Sequence, residues 1–286
     1  MKKLLSYFYQ RMFQIKQRLT GRPAYQSKLL IKKIQGNSKI RNSKSLADQI
    51  LKQLNELIVE YEQFTFYINH DGPALYHILN SIDKVEKLVI SVYEQTKGTK
   101  VPSVFFDVGA NLGLFSVFVK HYFPESTVYI FEADPQLIPF IEKNTQGLQG
   151  IHIHNLAVSN LHSEKLKFYR NRNSFQTNSL LKEAVQPFTK GQELEVFDVA
   201  SCSMDSFVSE MNIPKVDVIK LDIQGAEFVA LQGGENTLKA CSFLLLEVCF
   251  LMPQAIESLK FAHNFFPNQK PINDVLMGVD IMMYRN

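Results

Sequence analysis

One segment constrains this chain more than any other: an apolar run that breaks into glycines and restarts at once as a helix. It reads Phe105-Phe106-Asp107-Val108-Gly109-Ala110-Asn111-Leu112-Gly113 and continues as LFSVFVKHYF. The short apolar run predicts a buried strand. The stretch after it predicts a helix, which Pro124 stops. Gly109 and Gly113 remove side chains where the backbone must turn tightly and let a ligand approach. The amino end of the helix adds free N–H donors for a polar ligand.

The same alternation recurs downstream. STVYIFEAD predicts a second strand, and PQLIPFIEKNTQG a helix with Pro135 near its first turn. IHIHNLAVS predicts a third strand, VDVIKLDIQGAE a fourth strand and turn, and EFVALQGGENTLKA a helix punctuated by Gly233 and Gly234. FLLLEVCF predicts a fifth strand and VLMGVDIMMYRN a last one. Strands alternating with helices indicate βαβ units and a parallel sheet, an α/β fold. Residues 160–206 break the pattern. KLKFYRN and LEVFDVAS predict strands, separated by a polar stretch, so this is an insertion, with a hairpin covering the site as one form. Arg170, Asn171, Arg172, Asn173 and Asn178 would suit a polyhydroxylated acceptor, although a plain solvent loop has the same composition and is preferred.

Glu132 ends the second strand, nineteen residues beyond Gly113. A carboxylate there can accept hydrogen bonds from both hydroxyls of a ribose, which implies a nucleoside-containing cofactor. A nicotinamide dinucleotide would require G-x-G-x-x-G, where this chain has G-A-N-L-G. The wider loop, with Asp107 ahead of it, suits the amino acid end of S-adenosylmethionine, whose ammonium Asp107 would meet directly or through water.

The first hundred residues read differently. Residues 1–44 hold twelve Lys or Arg and no Asp or Glu, leaving nineteen basic against twenty-eight acidic residues in the remainder. A basic arm on an acidic body suggests an anionic contact. Leu4, Leu5, Phe8, Met12, Ile15 and Leu19 recur at helical spacing. Residues 1–20 thus predict an amphipathic helix, packed on the body or a partner subunit, or lying peripherally on anionic lipid. Residues 21–45 read as a linker and 46–65 as a helix. Asn69, Asp71, Gly72 and Pro73 mark a turn, and 75–97 read as a second helix. The expected organisation is a basic arm and linker at 1–44, a helical extension at 45–100, and a catalytic domain at 101–286. No stretch is long and apolar enough to span a bilayer. Cys202, Cys241 and Cys249 form no metal-ligand spacing, and no cleavable leader is evident, so a cytoplasmic location is expected.

Several motifs together resemble the FkbM family of methyltransferases. They are Phe106–Gly113, Phe131-Glu132-Ala133-Asp134-Pro135, Asn155-Leu156-Ala157-Val158-Ser159, Lys220 to Glu227 and Leu246-Glu247-Val248, in the family's order. The resemblance covers about residues 100–286. It implies a class I methyltransferase fold, a Rossmann-like, mostly parallel sheet of seven strands, here behind an α-helical extension. It implies methyl transfer from S-adenosylmethionine to a hydroxyl of a sugar, glycan or natural product. By resemblance, Asp107, Gly109, Asn111 and Gly113 form the methionine-side loop, Glu132 binds ribose, and Asn155 to Ala157 border the adenine. Asp222 would sit near the reactive methyl. The chain departs from the family at Gln224, where an acidic residue is common, and at Cys249, where His is common.

A hydroxyl acceptor benefits from a base. Asp222 is the first candidate and Glu247 the second, both expected at carboxyl ends of strands. Glu227 reads as a structural residue of a first helical turn. Asp222 and Glu247 are also hard oxygen donors, but nothing in the spacing requires a metal. His152, His154 and His162 carry little signal. Two other readings compete. A nucleic-acid methyltransferase would explain the basic arm, but the fourth-strand motif Asp222-Ile223-Gln224-Gly225 lacks the Pro-Pro-aromatic pattern of base-amine enzymes. A non-catalytic cofactor-binding interaction module is the other.

Overall fold

A computed structural model describes residues 57–61, 63–68, 72–171, 177–189, 191–275 and 278–285. It divides into a unit ending at Ser81 and one beginning at Ile82. The basic arm, the linker and residues 46–56 lie outside the described residues, as do Arg172 and Asn173. In the first unit, β1 (Leu57–Tyr61) pairs antiparallel with β2 (Phe64–Ile68), and Tyr61 faces Phe64 at the closed end. This corrects the helix expected over 46–65 for its described part. Ile58, Val59, Tyr61, Phe64, Thr65, Phe66 and Tyr67 are β-branched or aromatic, and this preference overrides a helical spacing of apolar residues. The second expected helix is present as α1 (Gly72–Gln95).

The second unit carries a seven-stranded sheet. In chain order its strands are β3 (Val104–Val108), β4 (Thr127–Phe131), β5 (Ile151–His154), β9 (Val218–Leu221), β10 (Phe243–Cys249), β11 (Asn268–Val275) and β12 (Gly278–Tyr284). Their spatial order is β11-β12-β10-β9-β3-β4-β5. The pairs β4–β5, β3–β4, β3–β9 and β9–β10 are parallel, and β12 runs antiparallel to β10 and β11. All four residues of β9 are buried and most of β3 and β10, as in a parallel sheet covered on both faces. The core joins Phe106, Phe131, Ile219, Leu221, Leu244 and Leu246 from adjacent strands. The alternation read from the sequence therefore stands, with one addition: the tail forms two strands, because β11 pairs along its length with β12.

Helices fill the connections: α2 (Leu114–Tyr122), α3 (Ile138–Asn144), α6 (Glu227–Gln232), α7 (Glu235–Ala240) and α8 (Ala255–His263). Pro139, not Pro135, lies in the first turn of α3, and Pro135 belongs to the preceding turn. Among the described residues no helix is long and apolar enough to cross a membrane. The chain order reverses at β3, with β4 and β5 to one side and β9 and β10 to the other. In open α/β sheets such a switch point leaves a crevice at the carboxyl ends of the strands.

The insertion forms a separate small sheet of β6 (Ala157–Val158), β7 (Lys165–Arg170) and β8 (Glu195–Cys202), in the order β6-β8-β7. β7 and β8 pair antiparallel, as the expected hairpin requires. Between them lies the short helix α4 (Lys182–Val185), and after them α5 (Met204–Glu210), capped by Ser203 Oγ accepting from Ser206 N–H at 3.2 Å.

Candidate functional site

The loop from β3 to α2 is shaped by its own backbone. Gly109 and Ala110 N–H groups both donate to the Phe131 carbonyl, at 2.9 and 3.2 Å, which ties the end of β3 to the end of β4. Gly109 has φ 77° and lies so close to β9 that a Cβ there would sit 1.9 Å from the Asp222 carbonyl oxygen. Its tightest constraint is therefore the neighbouring strand, not the ligand that its place in the loop suggests. Gly113 caps α2 at φ 75°, and Asn111 also takes a positive φ of 54°.

Glu132 is buried at the end of β4. Its Oε2 accepts from Asn111 N–H at 2.7 Å and its Oε1 from Asp134 N–H at 2.8 Å. Both oxygens are thus fixed by backbone donors, and each retains a lone pair for a further partner. Burial pushes its carboxyl up to about 7, against those two hydrogen bonds. Asn155 Nδ2 donates to the Glu132 and Ala133 carbonyls at 2.7 and 3.1 Å, so it holds the same turn, and Ala157 is buried in β6.

Asp107 has no exposed surface. Its Oδ2 accepts from Ser116 Oγ at 2.7 Å, and its Oδ1 lies 3.2 Å from Lys220 Nζ without a directed hydrogen bond. Lys220 was not anticipated from sequence. It is buried in β9, donates to the Gly109 carbonyl at 2.6 Å and reaches Asp222 Oδ2 at 3.7 Å. Burial alone would lower its pKa, but Asp107 and Asp222 outweigh that and the net direction is upward. A lysine in a strand of buried residues was the available signal, since buried charges are paired.

Asp222 follows β9, and its side chain is 38% exposed. Gln224 Nε2 donates to Asp222 Oδ1 and to Glu247 Oε2, each at 2.8 Å. The two carboxylates named from sequence therefore share one amide, and they also interact with each other directly. Burial holds the Glu247 carboxyl well above the ordinary carboxylate range, with Asp222, Asp280 and Glu227 adding to it. Asp280, also not anticipated, faces Glu247 across the β10–β12 pair and accepts from Asn273 Nδ2 at 3.0 Å. Burial pushes it up to about 6. Glu227 is structural, as expected: it accepts from Ile223 and Gly225 N–H groups at 2.9 Å and closes the turn into α6.

The polar residues of the insertion correct the sequence reading. Arg170, Asn171 and Asn178 are buried, neither a solvent loop nor free to meet an acceptor. Arg170 donates through Nε to Asp134 Oδ2 at 2.8 Å and through a second nitrogen to Asp134 Oδ1, a bidentate pair. Its third nitrogen lies 3.1 Å from Glu195, and its guanidinium stacks 4.4 Å from the Phe197 ring centre. Asn178 Nδ2 reaches Asp134 Oδ2 at 3.1 Å. His162 pairs with Glu210 at 2.8 Å, and His154 packs against Phe131 and Phe207.

A family model described as the methyltransferase FkbM domain matches residues 107–270, more than half of the chain. Methyltransferase 1 of Beauveria bassiana is 26% identical over 144 residues, covering 46% of this chain and 58% of that protein. The 2-O-methyltransferase NoeI of Sinorhizobium fredii is 23% identical over 173 residues, 57% of this chain and 68% of that one. The hexuronic acid methyltransferase AglP of Haloferax volcanii is 24% identical over 145 residues, 51% and 55%. The chain thus spans little more than half the length of two of these three relatives. An rRNA methylase structure from Streptococcus thermophilus overlays with a TM-score of 0.41 at 9% identity, over 69% of this chain and 95% of that one.

Proposed function

The chain belongs to the FkbM family of methyltransferases, and from that premise we propose that it transfers the methyl group of S-adenosylmethionine to a hydroxyl of a sugar, glycan or related natural product. One observation carries the reading: the glycine loop, the fixed Glu132 carboxylate and the Asp222–Glu247 pair converge at the carboxyl ends of β3, β4, β9 and β10. The residues fit the donor. Glu132 keeps lone pairs for two ribose hydroxyls, and Asp107 Oδ1, buried and 3.2 Å from the Lys220 ammonium, keeps acceptor capacity for a second ammonium reached through water. Asn155 to Ala157 would border the adenine.

S-adenosylmethionine supplies a methyl on an already activated sulfonium. The protein's part is alignment and exclusion of water. Asp222, partly exposed, would accept the hydroxyl proton as the hydroxyl oxygen takes the methyl and the sulfonium leaves as a neutral thioether, with Glu247 beside it as the second candidate for that proton. The names of NoeI and AglP support a sugar hydroxyl as the acceptor.

Calorimetry of the full chain with S-adenosylmethionine tests this. Micromolar binding is expected, weakened roughly 10- to 100-fold in Glu132→Ala by the loss of charged hydrogen bonds to the ribose. No binding to a folded wild-type chain would sink the proposal.

A further inference from the structure

Gln224 occupies a backbone conformation that L side chains rarely adopt, at φ 53°. That conformation presents its amide to two acids at once, with Nε2 2.8 Å from Asp222 Oδ1 and 2.8 Å from Glu247 Oε2. The amide nitrogen carries two hydrogens, one for an oxygen of each acid. The acids need such a donor. Asp280 stands directly across from Glu247 on β12, where like charges destabilise. Glu227 adds a further acid from α6. Of the cations nearby, Lys220 approaches Asp222 and also acts on Asp280, and Lys84 acts on Asp280.

We propose that Gln224 is a positioning residue of the methyl-transfer site, a neutral double donor that fixes Asp222 and Glu247 at one separation so that the pair can receive an acceptor's proton. This rests on the function proposed above, in which that pair is the proton acceptor.

The test is a pH titration of the full chain carrying 13C at its glutamate carboxyl carbons. The Glu247 signal is assigned by its loss in Glu247→Gln. In Gln224→Met, of similar length but without a donor, the Glu247 midpoint should rise by roughly one pH unit, because a hydrogen bond to the charged form is gone. Gln224→Glu replaces the donor with an acceptor and should raise it further. An unchanged midpoint in either folded variant overturns the proposal, and the second variant decides if the first does not fold. Calorimetry with S-adenosylmethionine on the wild-type chain separates this test from the functional reading. Failure of the wild-type chain to bind would overturn the functional reading, while the carboxyl titration still reads the clamp by itself.

Discussion

At the scale of single residues, the site depends on side chains whose roles are set by neighbours remote in sequence. Gly109 is the sharpest case. Its φ of 77°, and the 1.9 Å that would separate a Cβ at this position from the Asp222 carbonyl oxygen, leave room for hydrogen only. Gly109→Ala should cost about 2–4 kcal/mol, combining left-handed strain with overpacking between two strands, as measured by denaturant unfolding. A loss below about 1 kcal/mol would mean that the strands part easily. Lys220 belongs to the same contact: its ammonium donates to the Gly109 carbonyl and faces both Asp107 and Asp222. Sequence showed the acids of this cluster but not the cation that neutralises them.

At the scale of elements, the insertion is anchored to the turn that follows β4. Arg170, at the end of β7, holds Asp134, whose own N–H holds Glu132. Removing the guanidinium strands a fully buried carboxylate, and breaking a buried pair in this way costs roughly 3–5 kcal/mol. Arg170→Met should therefore lower the unfolding free energy by about that amount. Adding Asp134→Asn should recover part of it, because the stranded charge is gone. A double variant no more stable than the single one would show that the pair's charge is not what matters. The β1–β2 hairpin teaches the opposite lesson about elements. Apolar residues spaced for a helix formed strands, since β-branched and aromatic side chains favour a pleated surface.

At the scale of the whole molecule, buried acids set the pH dependence of stability. Glu132 and Glu227 are pushed up to about 7 by burial, Asp280 to about 6, and Glu247 is raised as well. Each is raised above its unfolded value. Its contribution is therefore complete below the ordinary carboxylate range near 4.5 and is lost as pH climbs through about 6 to 7. His154, held low by burial and His152, works the other way. With four acids against one histidine, the melting temperature of the cofactor-free chain should fall by several degrees between pH 5 and 7.5. Glu132→Gln should flatten that slope, and a melting temperature that rises over this range would contradict the assigned burial.

The α/β class, the strand–glycine–helix loop, the place of Glu132 and the candidacy of Asp222 and Glu247 were all legible along the chain. Those signals are local: periodicity, turn residues and short spacings lie within one or two elements. Which charges meet is a matter of tertiary structure. Lys220 joins Asp107 to Asp222, Gln224 joins Asp222 to Glu247, Asp280 reaches Glu247 only through the antiparallel β12, and Arg170 turns from a candidate acceptor contact into an anchor. A buried charge is held by a partner supplied from another strand or turn, and strand pairing, not spacing along the chain, sets which partner that is.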